Sequence, residues 1–404
     1  MNKLALEGIK VLDFGWALVG SLTTKQLADH GAQVIRIESM SRVCLTRTNR
    51  MISKSRADNP DDKPWFLHLN TSKLSMFLNL KCKSSWKVLE RLIKWADVIN
   101  SNFVPGTLEK MGMGYDEVRK IKPDIIMVAG SGYGQTGPLA REWAVDGTGG
   151  ALSGYLDLTG WPDRGPVGPN VPYGDVILPY FIASAIVAAL DYRRRTGKGQ
   201  FIDASMVEVC VHQIIPALLD WQARRHLQKR SGNRIPNASP HGVFPCRGDD
   251  RWCAIAAFTD EEWTALCETM GMPHLANDPR FATLSLRKEN EDELEAIISQ
   301  WTMQHSAEET MHLLQASGVP AGVVQTMEDI MKDPQLKARE FLINLKHPVI
   351  GECGHPTPPY KLVKTKAQIR TSPCMGEHTE FVCSQLLGIS DEEFLELWQK
   401  GVFQ

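Results

Sequence analysis

Ile9-Lys10-Val11-Leu12-Asp13-Phe14 is a short apolar run, followed by a helical stretch from Leu22 to Asp29 and a second run, Gln33-Val34-Ile35-Arg36-Ile37. Apolar runs of this length suit buried strands better than helices. A long irregular region then reaches Ser72. Beyond it Leu74 to Leu78 alternates, Trp86 to Ala96 is amphipathic, Asp97 to Ile99 opens a strand, and Asp124 to Val128 ends in a glycine-rich turn. Strands and helices in alternation predict an α/β fold, with parallel strands and helices on both faces. Ligands of such sheets bind beyond the carboxyl ends of the strands.

The character changes after Ala223. Arg224 to Gly242 is polar, basic and rich in Asn and Pro, so it reads as a linker. Past it, Trp252 to Ala257 suggests a strand, and Glu261 to Met270, Asn290 to Met303 and Ala307 to Ala316 suggest helices. Residues 224–325 are therefore expected to form a small α+β domain that includes the linker. The tail from His378 has two helical periods split by Gly388. A chain of 404 residues is long enough for two domains.

Composition narrows the function. The 45 Lys plus Arg nearly balance 47 Asp plus Glu, which argues against a nucleic-acid partner. Nine cysteines without a CxxC pair suggest reduced thiols and a cytoplasmic setting, and the eleven histidines form no HExxH or HxxxH, so no metal is expected. Met1 to Lys10 shows no signal peptide. Val176 to Leu190, about 15 residues with Pro179 inside, falls short of the roughly 20 that a bilayer helix needs, so it is expected to be a buried helix and no membrane partner is expected. Phe14-Gly15-Trp16-Ala17-Leu18-Val19-Gly20 lacks GxGxxG, which removes a nicotinamide-dependent dehydrogenase. Asp175 precedes the apolar helix, where a lone aspartate is by default an N-cap. Cys210 and Met206 read as core, and Asp203 as a turn anchor.

Leu6-Glu7-Gly8-Ile9-Lys10-Val11-Leu12-Asp13-Phe14, Leu27 to Glu38, Leu69-Asn70-Thr71-Ser72-Lys73 and Asn102-Phe103-Val104-Pro105-Gly106 resemble the class III CoA-transferases, the formyl-CoA and carnitine CoA-transferase type. So do Ser131-Gly132-Tyr133-Gly134-Gln135-Thr136-Gly137-Pro138, Tyr173-Gly174-Asp175, Thr196 to Gln200, Asp278 to Phe281, Gly318 to Gly322, Asp333-Pro334-Gln335 and Gly376-Glu377-His378-Thr379. Each match is short, but their order spans nearly the whole chain. The stretch Asp13 to Lys25 also looks somewhat like subunits that exchange CoA between succinate and benzylsuccinate.

The resemblance implies a large CoA-binding and catalytic domain with a doubly wound, Rossmann-like sheet, built from residues 1–223 and 326–404, with the small α+β domain inserted between, and an interlocked dimer, either a homodimer or a pairing with a related chain. It implies that CoA passes from an acyl-CoA donor, such as succinyl-CoA, to a carboxylic acid acceptor through aspartyl anhydride and aspartyl-CoA thioester intermediates, with Asp175 as nucleophile. Acyl-CoA is then a substrate, and no metal is needed. It places Asn70, Lys73, Asn102, Phe103 and Lys110 near CoA, Leu18 and Val19 along the pantetheine path, and Ser131, Gly132, Tyr133 and Gly134 at the site. Gly132, Gly134 and Gly137 can either donate backbone N–H groups to an oxyanion or simply permit positive φ. Arg47, Arg50, Lys54 and Arg56 are further phosphate candidates.

Departures from the family matter as well. Ser39 and Ser131 stand where some members carry basic residues, and Ala256-Ala257-Phe258-Thr259 falls where formyl-CoA enzymes have a glycine-rich flap. A larger or aromatic acid is thus expected in place of formate or oxalate, with Trp16 near the entrance. Two alternatives stay open. One is a racemase of 2-methylacyl-CoA, which needs a histidine where this chain has Val145; the other is a structural subunit of a heteromeric CoA-transferase.

Overall fold

The computed structural model describes residues 4–48 and 59–404. Arg50, Lys54 and Arg56 lie outside the described residues. The chain divides into two compact units, one of Met1–Leu156, Gly168–His226 and Ala338–Gln404, the other of Asp157–Val167 and Leu227–Lys337. The short excursion Asp157–Val167 has no counterpart in the boundaries expected from sequence.

In the first unit, β1 (Lys10–Asp13), β2 (Gln33–Glu38), β3 (Leu74–Phe77), β4 (Val98–Ser101), β5 (Ile126–Ser131) and β6 (Gln200–Ser205) form one sheet in the order β3-β2-β1-β4-β5-β6. Every pairing is parallel. The order reverses between β1 and β4, which makes that gap the topological switch point where a ligand crevice is expected.

Neighbouring residues on one strand serve opposite faces. Leu12, Ile35 and Ile99 join a core with Val88, Leu89 and Leu92 of α2 (Ser85–Trp95), whereas Val11, Val34 and Val98 join a second core with Leu27 of α1 (Val19–Ala28). Both faces are thus covered, which is why these strands read as unbroken apolar runs.

After β5 come α3 (Asp146–Leu152), α4 (Tyr173–Thr196), α5 (Met206–Gln213) and α6 (Ile215–Arg224). The sequence suggested about 15 buried residues for α4. It has 24, long and apolar enough to cross a membrane by length and composition alone. Leu178, Ile182, Ile186 and Ala189 are committed to the second core, but Tyr180, Phe181 and Val187 are exposed. The expected buried helix is therefore buried on one stripe only.

The second unit contains an antiparallel sheet, β7 (His241–Pro245), β8 (Trp252–Ala256) and β9 (Ala321–Val323), packed with α7 (Asp260–Thr269), α8 (Glu291–Thr302) and α9 (Ala307–Ala316). Thr259 with Glu262, and Ser306 with Glu309, form capping boxes that fix where α7 and α9 begin. The expected linker ends earlier than read, because His241 and Gly242 already belong to β7. Back in the first unit, β10 (Leu342–His347) and β11 (Gly351–Pro356) make a hairpin.

Candidate active site

The turn leaving β1 is built on close backbone approach. A Cβ on Gly20 would strike the Gly15 Cα and lie 2.6 Å from Asn102 Oδ1, so two glycines let the turn fold back on itself. Asn102, just past β4, braces it: its Oδ1 accepts from Trp16 N at 2.6 Å and its Nδ2 donates to Trp16 O at 2.9 Å. Ala17 is held at φ 49°, a left-handed conformation unusual for a residue with a side chain. Leu18 stands at the N-cap position of α1 without a side-chain cap, and Val19 is buried with Ile182 against Gly130.

Over the carboxyl ends of β1, β2 and β4 lies a cleft of about 140 Å³ lined by Phe14, Trp16, Phe103 and Met111 among its apolar residues and by Arg42 and Lys81 among its basic ones. The Arg42 guanidinium sits 4.7 Å over the Trp16 ring. Thr107 and Met111 border the cleft, and Lys110 stands exposed on the turn between them. Arg42 and Lys81 were not singled out in the sequence. Nothing in the local pattern marks either one; only the sheet order brings them together.

Beneath this cleft the charges are internal. Asp13 Oδ1 accepts from Gly15 N and Asn100 Nδ2, and Oδ2 accepts from Thr24 Oγ1 at 2.6 Å and Lys73 Nζ at 3.1 Å. Burial works against the Asp13 charge, yet Lys73, Arg36 and these hydrogen bonds outweigh it and hold the carboxyl below its ordinary value. Lys73 also donates to Ser21 O and Asn70 Oδ1, which uses all three of its N–H groups, and burial lowers its ammonium to about 8 against the pull of Asp13. Asn70 is fully buried, and its Nδ2 donates to Phe66 O. In this arrangement Lys73 and Asn70 brace the fold and reach no open surface. Arg47 is likewise spent, on both oxygens of Glu38 and on Asp61.

β5 ends with Ser131, and Gly132, Tyr133 and Gly134 follow as the expected loop. Gln135 N donates to Asp203 Oδ1 at 2.9 Å, so Asp203 anchors this turn. Gly134 has φ +84°, which supports the conformational role for that glycine. A Cβ on Gly132 would collide with the Ala144 methyl, so here the requirement is space.

Asp175 is in the first turn of α4 rather than in a loop before it. It caps nothing. The N-cap position is Pro172, and the Gly174 N–H is taken by Asp146 Oδ1 at 2.7 Å. Asp175 has no hydrogen-bond or ion-pair partner among the described residues. Pro179, four residues on, has no N–H to donate to the Asp175 carbonyl. Burial raises the Asp175 carboxyl to about 6, and the nearby charge of Asp146 adds to the effect. Gly174 has no room for a side chain, with Met206 Cγ and Cys210 Sγ of α5 within 2.7 and 3.0 Å of where its Cβ would be. Met206 and Cys210 are core, as read.

Fold and site together define an α/β protein of the open parallel-sheet class, with its cleft at the strand carboxyl ends and a half-buried, unpaired carboxylate on a helix packed against the same sheet. The chain belongs to CoA-transferase family III, whose pattern matches residues 6–379, and it is accordingly a CoA-transferase. It is 32% identical over 398 residues to the succinyl-CoA–D-citramalate CoA-transferase of Chloroflexus aurantiacus, covering 98% of both chains. It is 30% identical over 404 residues to the succinyl-CoA:glutarate CoA-transferase of Homo sapiens, covering 100% of this chain and 90% of that one. The crystal structure of a CAIB/BAIF family protein from Brucella suis superposes with a TM-score of 0.87 at 30% identity, covering 96% of this chain and 100% of that one.

Proposed function

We propose that the protein moves CoA from an acyl-CoA donor, with succinyl-CoA the first to test, to a carboxylic acid with an apolar or aromatic body, and that Asp175 is the covalent nucleophile. The observation that carries this reading is the Asp175 carboxylate itself, left without a partner while Asp146 caps the helix. A carboxyl at about 6 is mostly ionised at neutral pH and needs no general base.

The Asp175 carboxylate attacks the donor thioester carbonyl, forming a mixed anhydride and expelling CoA thiolate. The thiolate then attacks the aspartyl carbonyl of the anhydride, which yields an aspartyl-CoA thioester and the free donor acid. The acceptor carboxylate attacks that thioester, giving a second anhydride and releasing the thiolate again. Attack of the thiolate on the acceptor's acyl carbon ends the cycle with a new acyl-CoA and free Asp175. Each step breaks one acyl bond and makes another, so no external acid, base or metal enters the balance.

The cleft at the switch point suits the nucleotide end of CoA, with Trp16 and Phe103 as stacking surfaces and Arg42, Lys81 and Lys110 as phosphate partners. The pantetheine arm would pass Leu18 and Val19. Backbone N–H groups of the Ser131 to Gly134 loop are the oxyanion donors we favour. The exposed apolar faces of α4 and α6 support a dimer, with a second copy or a related chain. Nine free cysteines suit a reducing, cytoplasmic setting.

Replacing Asp175 tests the reading. Asp175→Ala abolishes transfer, with CoA affinity and secondary structure retained; transfer persisting above about 1% of the original rate contradicts it. Deuterium uptake at the α-carbon of an acyl-CoA, without acid exchange, would point to a racemase instead.

A further inference from the structure

The β10–β11 hairpin buries one face: Ile343, Leu345, His347, Cys353 and His355 are covered in alternation with exposed neighbours. Leu345 and Ile350 meet Leu67 of the short helix Pro64–Leu69 in a small core. An element held by so few apolar groups can open without the rest of the fold. Two of its covered residues are histidines, His347 at 2% exposure and His355 at 1%. His347 closes the turn, where its Nδ1 accepts from Val349 N and Ile350 N, both at 3.2 Å, so this nitrogen carries no proton. His355 lies against His68 of the short helix, with ring centroids 5.2 Å apart, and its Nε2 is buried with no hydrogen-bond partner among the described residues. Lys25, buried on α1 in a 2.7 Å pair with Asp29, sets a positive charge near both of these rings.

We propose that the hairpin is an acid-released clasp, docked on Pro64–Leu69 while His68, His347 and His355 are neutral and freed when they take up protons. Protonated, His347 turns an N–H towards the two N–H groups it now accepts from. His68 and His355 become like charges in contact, beside a third on Lys25. Burial is the main force that lowers His68 to about 4 and His355 to about 3; Lys25 adds to it at both, His68 adds to it at His355, and Asp29 opposes it at His68. Burial lowers His347 as well, with Arg47 adding and Asp61 and Glu377 opposing. In the freed hairpin the rings return to about 6.5. The freed form therefore takes up protons first. Docking is at full strength above about pH 6.5 and weakens below it, by up to about tenfold per pH unit for each histidine until its docked value is reached.

Hydrogen–deuterium exchange on the full chain, corrected for the intrinsic effect of pH on exchange, reads the clasp directly. Between pH 7 and pH 5 the amides of residues 342–356 are expected to lose protection by about a hundredfold or more, while β1, β4 and β5 keep theirs. His68→Phe with His355→Phe retains two rings without their charge and is expected to preserve most of the protection at pH 5. If that pair already opens the hairpin at pH 7, His347→Asn serves instead: its Oδ1 can accept where Nδ1 did, and the loss at pH 5 is expected to shrink by about tenfold. Three outcomes overturn the proposal: equal hairpin protection at pH 7 and pH 5, a loss unmoved by the variants, or a loss that β1, β4 and β5 share in step.

Discussion

Two carboxylates near the start of α4 divide the work. Asp146 accepts from the Gly174 N–H at the start of the helix, and Asp175 has no hydrogen-bond partner among the described residues. Their proximity has a pH consequence. With Asp175 as the proposed nucleophile, only its ionised form attacks, so kcat/KM is expected to fall as pH drops through about 6. Asp146→Asn keeps a cap acceptor but removes a like charge, which makes the Asp175 anion easier to form. The acid limb is expected to move to lower pH; a limb that stays fixed or rises contradicts the pairing. Asp175 could be singled out in the sequence only through the family resemblance, since alone it reads as a cap. Asp146 could not be found that way: its partner is 28 positions distant, and no local pattern joins them. The burial of Asn70 and Lys73 was equally invisible, because Asp13, which holds Lys73, lies 60 residues before it.

At the level of elements, apolar periodicity located those whose burial is one-sided or complete. Ala307–Ala316 matches its sequence reading end to end, and β1, β2 and β3 fall where the short runs predicted. The elements that escaped have mixed surroundings. β6 is an edge strand in which exposed Phe201 and Asp203 alternate with half-buried neighbours, and β11 carries Gly351, Gly354 and Pro356, all of which read as turn residues. α4 outran its apolar run because Arg193, Arg194 and Arg195 extend it by another turn, where cations favour the negative end of a helix. The link between β1 and β3 is a buried Lys73–Asp13 pair, and its removal is costly. Lys73→Met strands the Asp13 charge and is expected to lower unfolding free energy by about 3 kcal/mol in urea. If Lys73 instead held a CoA phosphate, stability would change little and CoA affinity would fall.

The whole molecule leaves a large apolar area unspent. Tyr180, Phe181 and Val187 on α4, with Leu218, Leu219 and Trp221 on α6, are exposed, and α6 has no fully buried residue. Such area is uncommon on a monomer. Phe181→Glu together with Leu219→Glu is therefore expected to shift sedimentation from a dimer to a monomer, and a parent chain that sediments as a monomer contradicts the proposed assembly. Composition indicates a globular chain with balanced charge and the alternation of segments indicates the α/β class, but neither bears on how chains pair.

The account depends most on a covalent bond at one side chain. Turnover in the presence of hydroxylamine or borohydride, followed by mass analysis of the digested chain, reads that bond directly. Modification confined to the peptide holding Asp175, appearing only when an acyl-CoA is supplied, is the predicted result. A modified residue elsewhere, or steady turnover with no modified peptide, contradicts it.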